Sequence, residues 1–298
     1  MKDNIKGFIL ASRPKTLPAG ASPIIMATAL AYSDTQKFSL IIFILTLLCT
    51  VLLQIASNLI NDYYDTQTGV DTEERLGPTR VTSSGQLKAS TVKTMFISTL
   101  VLAFILGIYL MYVGGPIIIA MGLISMLASY LYTGSPFPLS HYALGELLAL
   151  IFFGCVAVCG AYYLQTKQIT NSALLLSLFP GFLSSAIMAI NNARDINSDT
   201  KAKKLTLGIL LNKLRPNLSS WLPLIFVICA NIVIIVHSVI YEQWYLSFAV
   251  VGLVLPFLKT WIYLILNRPS VEYNNSLAKT GKFLFLSSLI YGGLLWIN

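Results

Sequence analysis

Long apolar runs separated by short polar connections dominate this chain, and no other feature restricts its fold so severely. About 20 predominantly apolar residues match the hydrocarbon thickness of a bilayer crossed by an α-helix. Within hydrocarbon, every backbone N–H and C=O must be satisfied internally, so the runs are read as helices. Their polar breaks predict nine spans, near 17–33, 38–60, 94–113, 115–133, 143–164, 172–192, 219–240, 244–266 and 283–297. The expected fold is an all-α integral membrane protein, a single domain over 1–298 built as a bundle of nine transmembrane helices. Composition agrees, because 56% of residues are hydrophobic and 11% charged, whereas soluble domains carry roughly a quarter charged residues. Pro18, Pro23, Pro180, Pro223 and Pro256 lie in or beside the runs, where neighbouring membrane helices can re-satisfy the freed carbonyls.

Basic residues orient the bundle. With alternate connections assigned to alternate sides, 18 of the 20 Lys and Arg residues share one side, and only Lys37 and Lys167 fall opposite. The positive-inside rule then places the N-terminus and the long connections in the cytoplasm, in a multi-pass protein of the cytoplasmic membrane. The net charge of +8 needs no nucleic-acid partner, since a basic face beside the anionic lipid bilayer accounts for it. No cleavable signal sequence is visible, and residues 5–12 are expected to lie along the interface as a short amphipathic helix. Cys155 and Cys159 share a helix face, but no His or carboxylate accompanies them, so they are read as packing.

Against so few charges, the acids are informative. Seven of the 12 fall in two connections: Asp62, Asp65, Asp71, Glu73 and Glu74 after the second span, and Asp195 and Asp199 after the sixth. The first connection reads Asn61-x3-Asp65-x5-Asp71-x3-Arg75, and the second Asn191-x3-Asp195-x3-Asp199-x3-Lys203. Each follows the second helix of a four-helix block, so the chain reads as two related halves plus one helix. A pseudo-twofold arrangement would bring both loops to one cavity. Single loop acids commonly cap helices or stay solvated, the reading preferred for Glu73 and Glu74. Two loops with related spacing instead make Asn61, Asp65, Asp71, Asp195 and Asp199 candidate ligands. Hard oxygen donors suit Mg²⁺, which is usually held by a few carboxylates together with a substrate phosphate. The interleaved bases Arg75, Arg80, Lys201, Lys203 and Lys204 suit that phosphate.

An acidic, basic-lined mouth opening into an apolar bundle fits a diphosphate head with a hydrocarbon tail. If the tail is allylic, loss of diphosphate leaves a carbocation that an electron-rich ring can capture. The segments RPKTLPAG (13–20), NDYYDTQTGVDTEERLGPTR (61–80), YTGSPFPLSHYALGE (132–146) and NNARDINSD (191–199) resemble the UbiA superfamily of membrane prenyltransferases over the whole chain. The six-residue step from Asp65 to Asp71 and the following Arg75-Leu76-Gly77-Pro78 are most similar to the branch acting on 1,4-dihydroxy-2-naphthoate in menaquinone synthesis.

The resemblance implies that Asn61, Asp65, Asp71, Asp195 and Asp199 hold Mg²⁺ and the diphosphate, with Asp62 as helper. It further implies that Arg75, Arg80 and Lys204 contact the polyprenyl diphosphate, and that Gln54, Asn58, Asn192 and Arg194 line the same mouth. Its implied reaction joins a polyprenyl chain to the naphthoate carbon bearing the carboxylate, with loss of CO₂, giving a demethylmenaquinol. Lys203 and Leu205 flank Lys204 where relatives usually carry Gly and Arg, which leaves the division of roles between Lys203 and Lys204 open. Arg13 and Lys15 precede the first span and are candidates to reach the diphosphate or the naphthoate carboxylate; snorkelling to the interface is the competing role. Tyr132 is a candidate to face the prenyl chain through its ring, and Glu146 and Lys259 are weaker ionisable candidates. His141 is read as a surface loop residue. Another aromatic acceptor such as 4-hydroxybenzoate is the rival within enzymes. A divalent-cation or organic-anion transporter is the rival outside them, disfavoured because the span centres are nearly charge-free.

Overall fold

The structure, a computed structural model, describes residues 2–68 and 76–297. Its helices run in the order α1 (Lys2–Ala11), α2 (Pro18–Thr35), α3 (Leu40–Gln67), α4 (Ala89–Leu131), α5 (Gly145–Leu150), α6 (Ala157–Thr166), α7 (Asn171–Arg194), α8 (Ile196–Lys201), α9 (Leu207–Leu214), α10 (Leu222–Ile240), α11 (Tyr245–Leu266) and α12 (Tyr273–Ile297). A π-helical stretch, Ile151–Val156, joins α5 to α6, making one continuous rod over Gly145–Thr166. Extended pairing among the described residues is limited to an isolated bridge between Tyr142 and Leu205.

Seven helical stretches among the described residues are long and apolar enough to cross a membrane: Leu40–Gln67, Ala89–Leu131, Gly145–Thr166, Asn171–Arg194, Leu218–Ile240, Tyr245–Leu266 and Tyr273–Ile297. The spans expected at 94–113 and 115–133 are both contained in α4, whose 43 residues would measure about 65 Å if straight, twice the roughly 30 Å of hydrocarbon. Gly115 breaks α4 with φ 65° and ψ −155°, and Pro116 follows it. The span expected at 17–33 is α2, which has 18 residues and packs largely through small ones: Ala19, Gly20, Ala27, Ala29 and Ala31 are all buried. Small side chains let membrane helices approach closely, at the expense of hydropathy. The last helix begins at Tyr273, ten residues before the expected 283, because its first turns carry Asn274, Asn275, Lys279 and Lys282 and turn the polar Ser276 and Thr280 inward, where they are buried. The expected short helix at 5–12 is α1, with Ile5, Ile9 and Leu10 exposed.

Burial is reversed relative to a soluble protein. Large apolar side chains such as Ile105, Ile108, Ile124, Leu127, Ile232 and Leu255 are exposed on the outside of the helices, as a lipid-facing belt requires. The main core joins α2, α6, α7, α10, α11 and α12 around Phe179, Trp261 and Phe283. A second cluster, with Ala11, Leu59, Ile60, Val81, Leu87 and Phe96, fastens α1 and the chain before α4 onto the end of α3. Leu110, Ile118 and Leu164 form a third cluster, with Cys49 and Met121 packed against it. A long cavity lies between the α3–α4 pair and the main core.

The backbone at Gly115 sits where only glycine is comfortable. Gly115→Ala should lower thermal stability by about 1–3 kcal/mol, read as a lower unfolding midpoint in detergent. Gly293→Ala, whose added Cβ would meet open space, should leave the midpoint unchanged or slightly raised.

Candidate active site

The first acidic motif is helical rather than a loop, since α3 continues to Gln67. Residues three or four apart share a helix face, so Thr50, Gln54, Asn58, Asn61 and Asp65 form one stripe, and all five line the cavity. From Asp65 down to Thr46, also on its wall, the stripe runs 19 residue steps, or about 28 Å at 1.5 Å per step. The second motif repeats this geometry. Asn191 lies in the last turn of α7, Asp195 caps it, and Asp199 sits in α8; all three line the same cavity. The two motifs expected to converge therefore do so, across a cavity of about 340 Å³.

Chemistry changes with depth. At the mouth lie Asp65, Asp195, Asp199, Arg80 and Lys204, while farther in the wall becomes Leu110, Ile118, Met121, Phe152, Phe153 and Leu164. Each mouth carboxylate is held by a base. Arg80 Nη2 donates to Asp65 Oδ2, and Lys204 Nζ donates to Asp199 Oδ1 at 3.3 Å. Arg194 grips Asp195 through Nε at 2.8 Å and Nη2 at 2.5 Å. Bidentate guanidinium pairing of this kind fixes orientation as well as charge. Arg194 also donates to the Asn191 and Asn274 side-chain oxygens at 2.8 and 2.7 Å. Asn274 in turn donates to the Leu76 carbonyl at 2.8 Å.

Asp199 reports the balance of charge. Burial is the main force raising its pKa to about 6; the neighbouring Asp195 and Asp65 charges add to it, and Lys204 opposes it. Its Oδ2 is buried with no hydrogen-bond partner. An orphaned carboxylate oxygen of this kind is what a cation would satisfy, and the donors at the mouth, Asn61, Asp65, Asn191, Asp195 and Asp199, are all oxygen atoms, as Mg²⁺ prefers. Among the described residues no three His, Cys, Asp or Glu side chains close into a complete cage. A site that shares Mg²⁺ with waters and substrate oxygens does not need one. His141, half-buried in a turn between α4 and α5, has its pKa lowered first by burial and then by Lys204.

The UbiA prenyltransferase family profile matches residues 21–289. This chain belongs to that family. It is 37% identical over 218 residues to the 1,4-dihydroxy-2-naphthoate octaprenyltransferase of Haemophilus influenzae, covering 71% of both chains. The protein of the same name from Escherichia coli is 36% identical over 207 residues, covering 67% of each. The fold resembles that of a UbiA homolog from Archaeoglobus fulgidus bound to GPP and Mg²⁺, with a TM-score of 0.67 at 15% identity, over 98% of this chain and 100% of that one.

Within this UbiA fold, Arg13, Gln54, Asn58, Asn61, Asp65, Arg80, Tyr132, Asp195, Asp199 and Lys204 line the cavity as expected from sequence. Gln54 Nε2 donates to the Thr16 carbonyl at 2.6 Å and Asn58 Nδ2 to the Ser12 carbonyl at 3.0 Å, which ties the segment bearing Arg13 to α3. The Tyr132 hydroxyl donates to Met188 Sδ at 3.2 Å. Asp71 and Arg75 lie outside the described residues.

Five expectations need correction. Asp62, one residue off the Asn61–Asp65 face, accepts from the backbone N–H groups of Val81 and Thr82 at 3.0 Å each, so it anchors the Arg80 segment instead of facing the cavity. Asn192 and Arg194 flank the inward face of α7, are buried away from the cavity and act on neighbours: Asn192 donates to Glu146 Oε1 at 2.9 Å. Lys203 has φ 56° and is exposed, whereas Lys204 turns inward, which separates their roles. Lys15 is exposed and off the cavity wall. Glu146 and Lys259 do not line it either. Sequence reading missed Asn274 and Thr133, the latter donating to Asn61 Oδ1. The Asn274-Asn275 pair before an apolar run was the available signal for an extended last helix.

Asp62→Ala strips the buried Val81 N–H of its acceptor, at about 1–3 kcal/mol, and the partly buried Thr82 N–H of its own. Steady-state kinetics should show a higher KM for the diphosphate substrate through a displaced Arg80, with Asp62→Asn intermediate. For Asp199 the sign runs opposite to a salt-bridged acid: its folded pKa lies above the unfolded value of 3.8, so stability falls as pH rises through that window toward 6. Asp199→Asn should therefore raise the unfolding midpoint of the metal-free protein at pH 7.5, and the gain should vanish at pH 4.

Proposed function

We propose that this chain transfers a polyprenyl group from an allylic polyprenyl diphosphate to 1,4-dihydroxy-2-naphthoate, releasing CO₂ and diphosphate and yielding a demethylmenaquinol. The observation that carries the reading is one cavity with paired Asn-x3-Asp motifs and bases at its mouth and an apolar wall of Leu110, Ile118, Met121, Phe152, Phe153 and Leu164 farther in. The naphthoate acceptor is supported by relatives that bear that activity in their names and exceed a third in sequence identity.

The diphosphate would sit at the mouth, where Arg80 and Lys204 supply donors, with Arg75 as a further base. Asn61, Asp65, Asp195 and Asp199, joined by Asp71, would hold Mg²⁺. The chemistry a bound Mg²⁺ supplies is charge neutralisation of the leaving diphosphate. As the allylic C–O bond breaks, its electron pair leaves with diphosphate. The ring carbon bearing the carboxylate then gives a pair to the allylic carbon. Cleavage of the bond to the carboxylate returns a pair to the ring and releases CO₂. Arg194 holds Asp195 in position, and Asp62 holds Arg80. The apolar wall, with Phe152 and Phe153, takes the chain and keeps water from the cation.

In the membrane, the break at Gly115 would make α4 two spans, and α2 a further one, giving nine. The basic connections then put the N-terminus and the mouth on the cytoplasmic side of the inner membrane.

Membranes containing the protein, given polyprenyl diphosphate and dihydroxynaphthoate, should form a decarboxylated prenyl product only with Mg²⁺, and EDTA should abolish it. Asp65→Ala and Asp195→Ala should each reduce turnover at least 100-fold, an order of magnitude expected from loss of transition-state charge stabilisation. Mass spectrometry of the product decides the acceptor: prenylated 4-hydroxybenzoate without any naphthoate product overturns the assignment.

A further inference from the structure

One side-chain amide connects the two sides of the active-site mouth. Asn274 lies in the first turn of α12, three residues before Leu277 on the cavity wall. Its Oδ1 accepts from Arg194 Nη1 at 2.7 Å, and its Nδ2 donates to the Leu76 carbonyl at 2.8 Å. A guanidinium only donates and a carbonyl only accepts, so these two neighbours fix which end of the amide faces which. They also restrict the residue type: a carboxylate here would serve Arg194 but would set acceptor against acceptor at Leu76. The start of α12 is itself held, because the buried Tyr273 hydroxyl bridges the Leu264 and Asn267 carbonyls at 3.0 and 2.8 Å.

Each neighbour of this amide leads to a group of the mouth. Arg194 continues through Nε and Nη2 to Asp195, at 2.8 and 2.5 Å. Leu76 leads to Arg80, four residues later, which donates to Asp65. Residues 76–80 lie in neither helix nor strand, so no backbone ladder sets the place of Arg80. Two anchors do so instead. Asp62 holds the far end by accepting from the Val81 and Thr82 N–H groups, and Asn274 holds the near end at Leu76.

We propose that Asn274 is a positioning residue for diphosphate binding: its amide ties the Arg80 segment to the Arg194–Asp195 pair and so sets the spacing between a base on one side of the mouth and a carboxylate on the other. The inference rests on the mouth being the diphosphate and Mg²⁺ site. Asn274 is not on the cavity wall and acts through Arg80, which is. Without the bond to Leu76 one end of the segment is free, and Arg80 has to be ordered when the diphosphate binds. The entropy of that ordering is subtracted from the affinity.

The test titrates the full chain in detergent with farnesyl diphosphate and Mg²⁺ by calorimetry, which requires neither turnover nor an acceptor. Asn274→Ala should weaken Kd about tenfold, the order expected for a lost hydrogen-bonded anchor. Asn274→Asp, of the same size, keeps the acceptor for Arg194 and removes the donor to Leu76; it should weaken Kd about as much. In an Arg80→Gln background the same two substitutions should each change Kd by less than about twofold, because the group they position is gone. Binding through Lys204 and Mg²⁺ leaves that background an affinity to titrate. Asn275→Ala, at the exposed neighbour, should bind as wild type does. An equal loss with and without Arg80 makes Asn274 a general brace and overturns the proposal. Wild-type affinity in either Asn274 variant overturns it too, while leaving the diphosphate mouth intact. A wild type that binds no farnesyl diphosphate removes the mouth itself, and the role of Asn274 with it.

Discussion

A carboxylate taken out of water must find positive charge or hydrogen-bond donors nearby, and the organisation of this bundle follows from that requirement. Removing two ions from solvent carries a penalty of several kcal/mol per ion unless the geometry restores it. Asp65, Asp195 and Asp199 therefore each hold a base, Arg80, Arg194 and Lys204. Those bases come from the connection before α4, the last turn of α7 and the segment after α8, so satisfying the acids also fixes how the ends of the helices meet. Asp62 extends the same logic to the backbone by accepting from Val81 and Thr82.

One face of the mouth keeps its charge unspent. Asp199 is raised toward neutrality although Lys204 is beside it, and its second oxygen has no partner. The pairs of acids and bases thus leave a deficit of positive charge where a diphosphate and its metal would enter. Arg194 differs from Arg80 and Lys204 because it is consumed by Asp195, Asn191 and Asn274. It works as a strut between α7 and α12, while the other two remain on the cavity wall.

Much of the site was legible because hydrocarbon leaves so few places for charge. Asn61, Asp65, Asp195 and Asp199 stand out from apolar surroundings, and their spacing repeats. What misled was the assumption that acids following a span belong to a loop. Since α3 continues through Gln67, phase on the helix decides each role: Asn61 and Asp65 turn inward and Asp62, one residue away, turns to the backbone of Val81. The same reason removes Asn192 from the cavity wall while leaving Asn191 on it, whereas Arg194 is held off the wall by its bonds to Asp195, Asn191 and Asn274. Lys203 and Lys204 could not be separated by residue type, and a left-handed backbone at Lys203 turns only Lys204 inward. Asn274 stayed hidden because hydropathy starts the last helix too late, the polar residues of its first turns imitating a connection.

Apolar runs and sparse charge are enough to determine, from sequence alone, a helical membrane bundle with two matching acidic motifs. Hydrocarbon admits helices and penalises isolated charge, whatever the neighbours are. Only tertiary structure decided which of those polar residues share a cavity and which brace its walls. That distinction depends on helix phase and on contacts between segments as far apart as Leu76 and Asn274, and no local pattern encodes it.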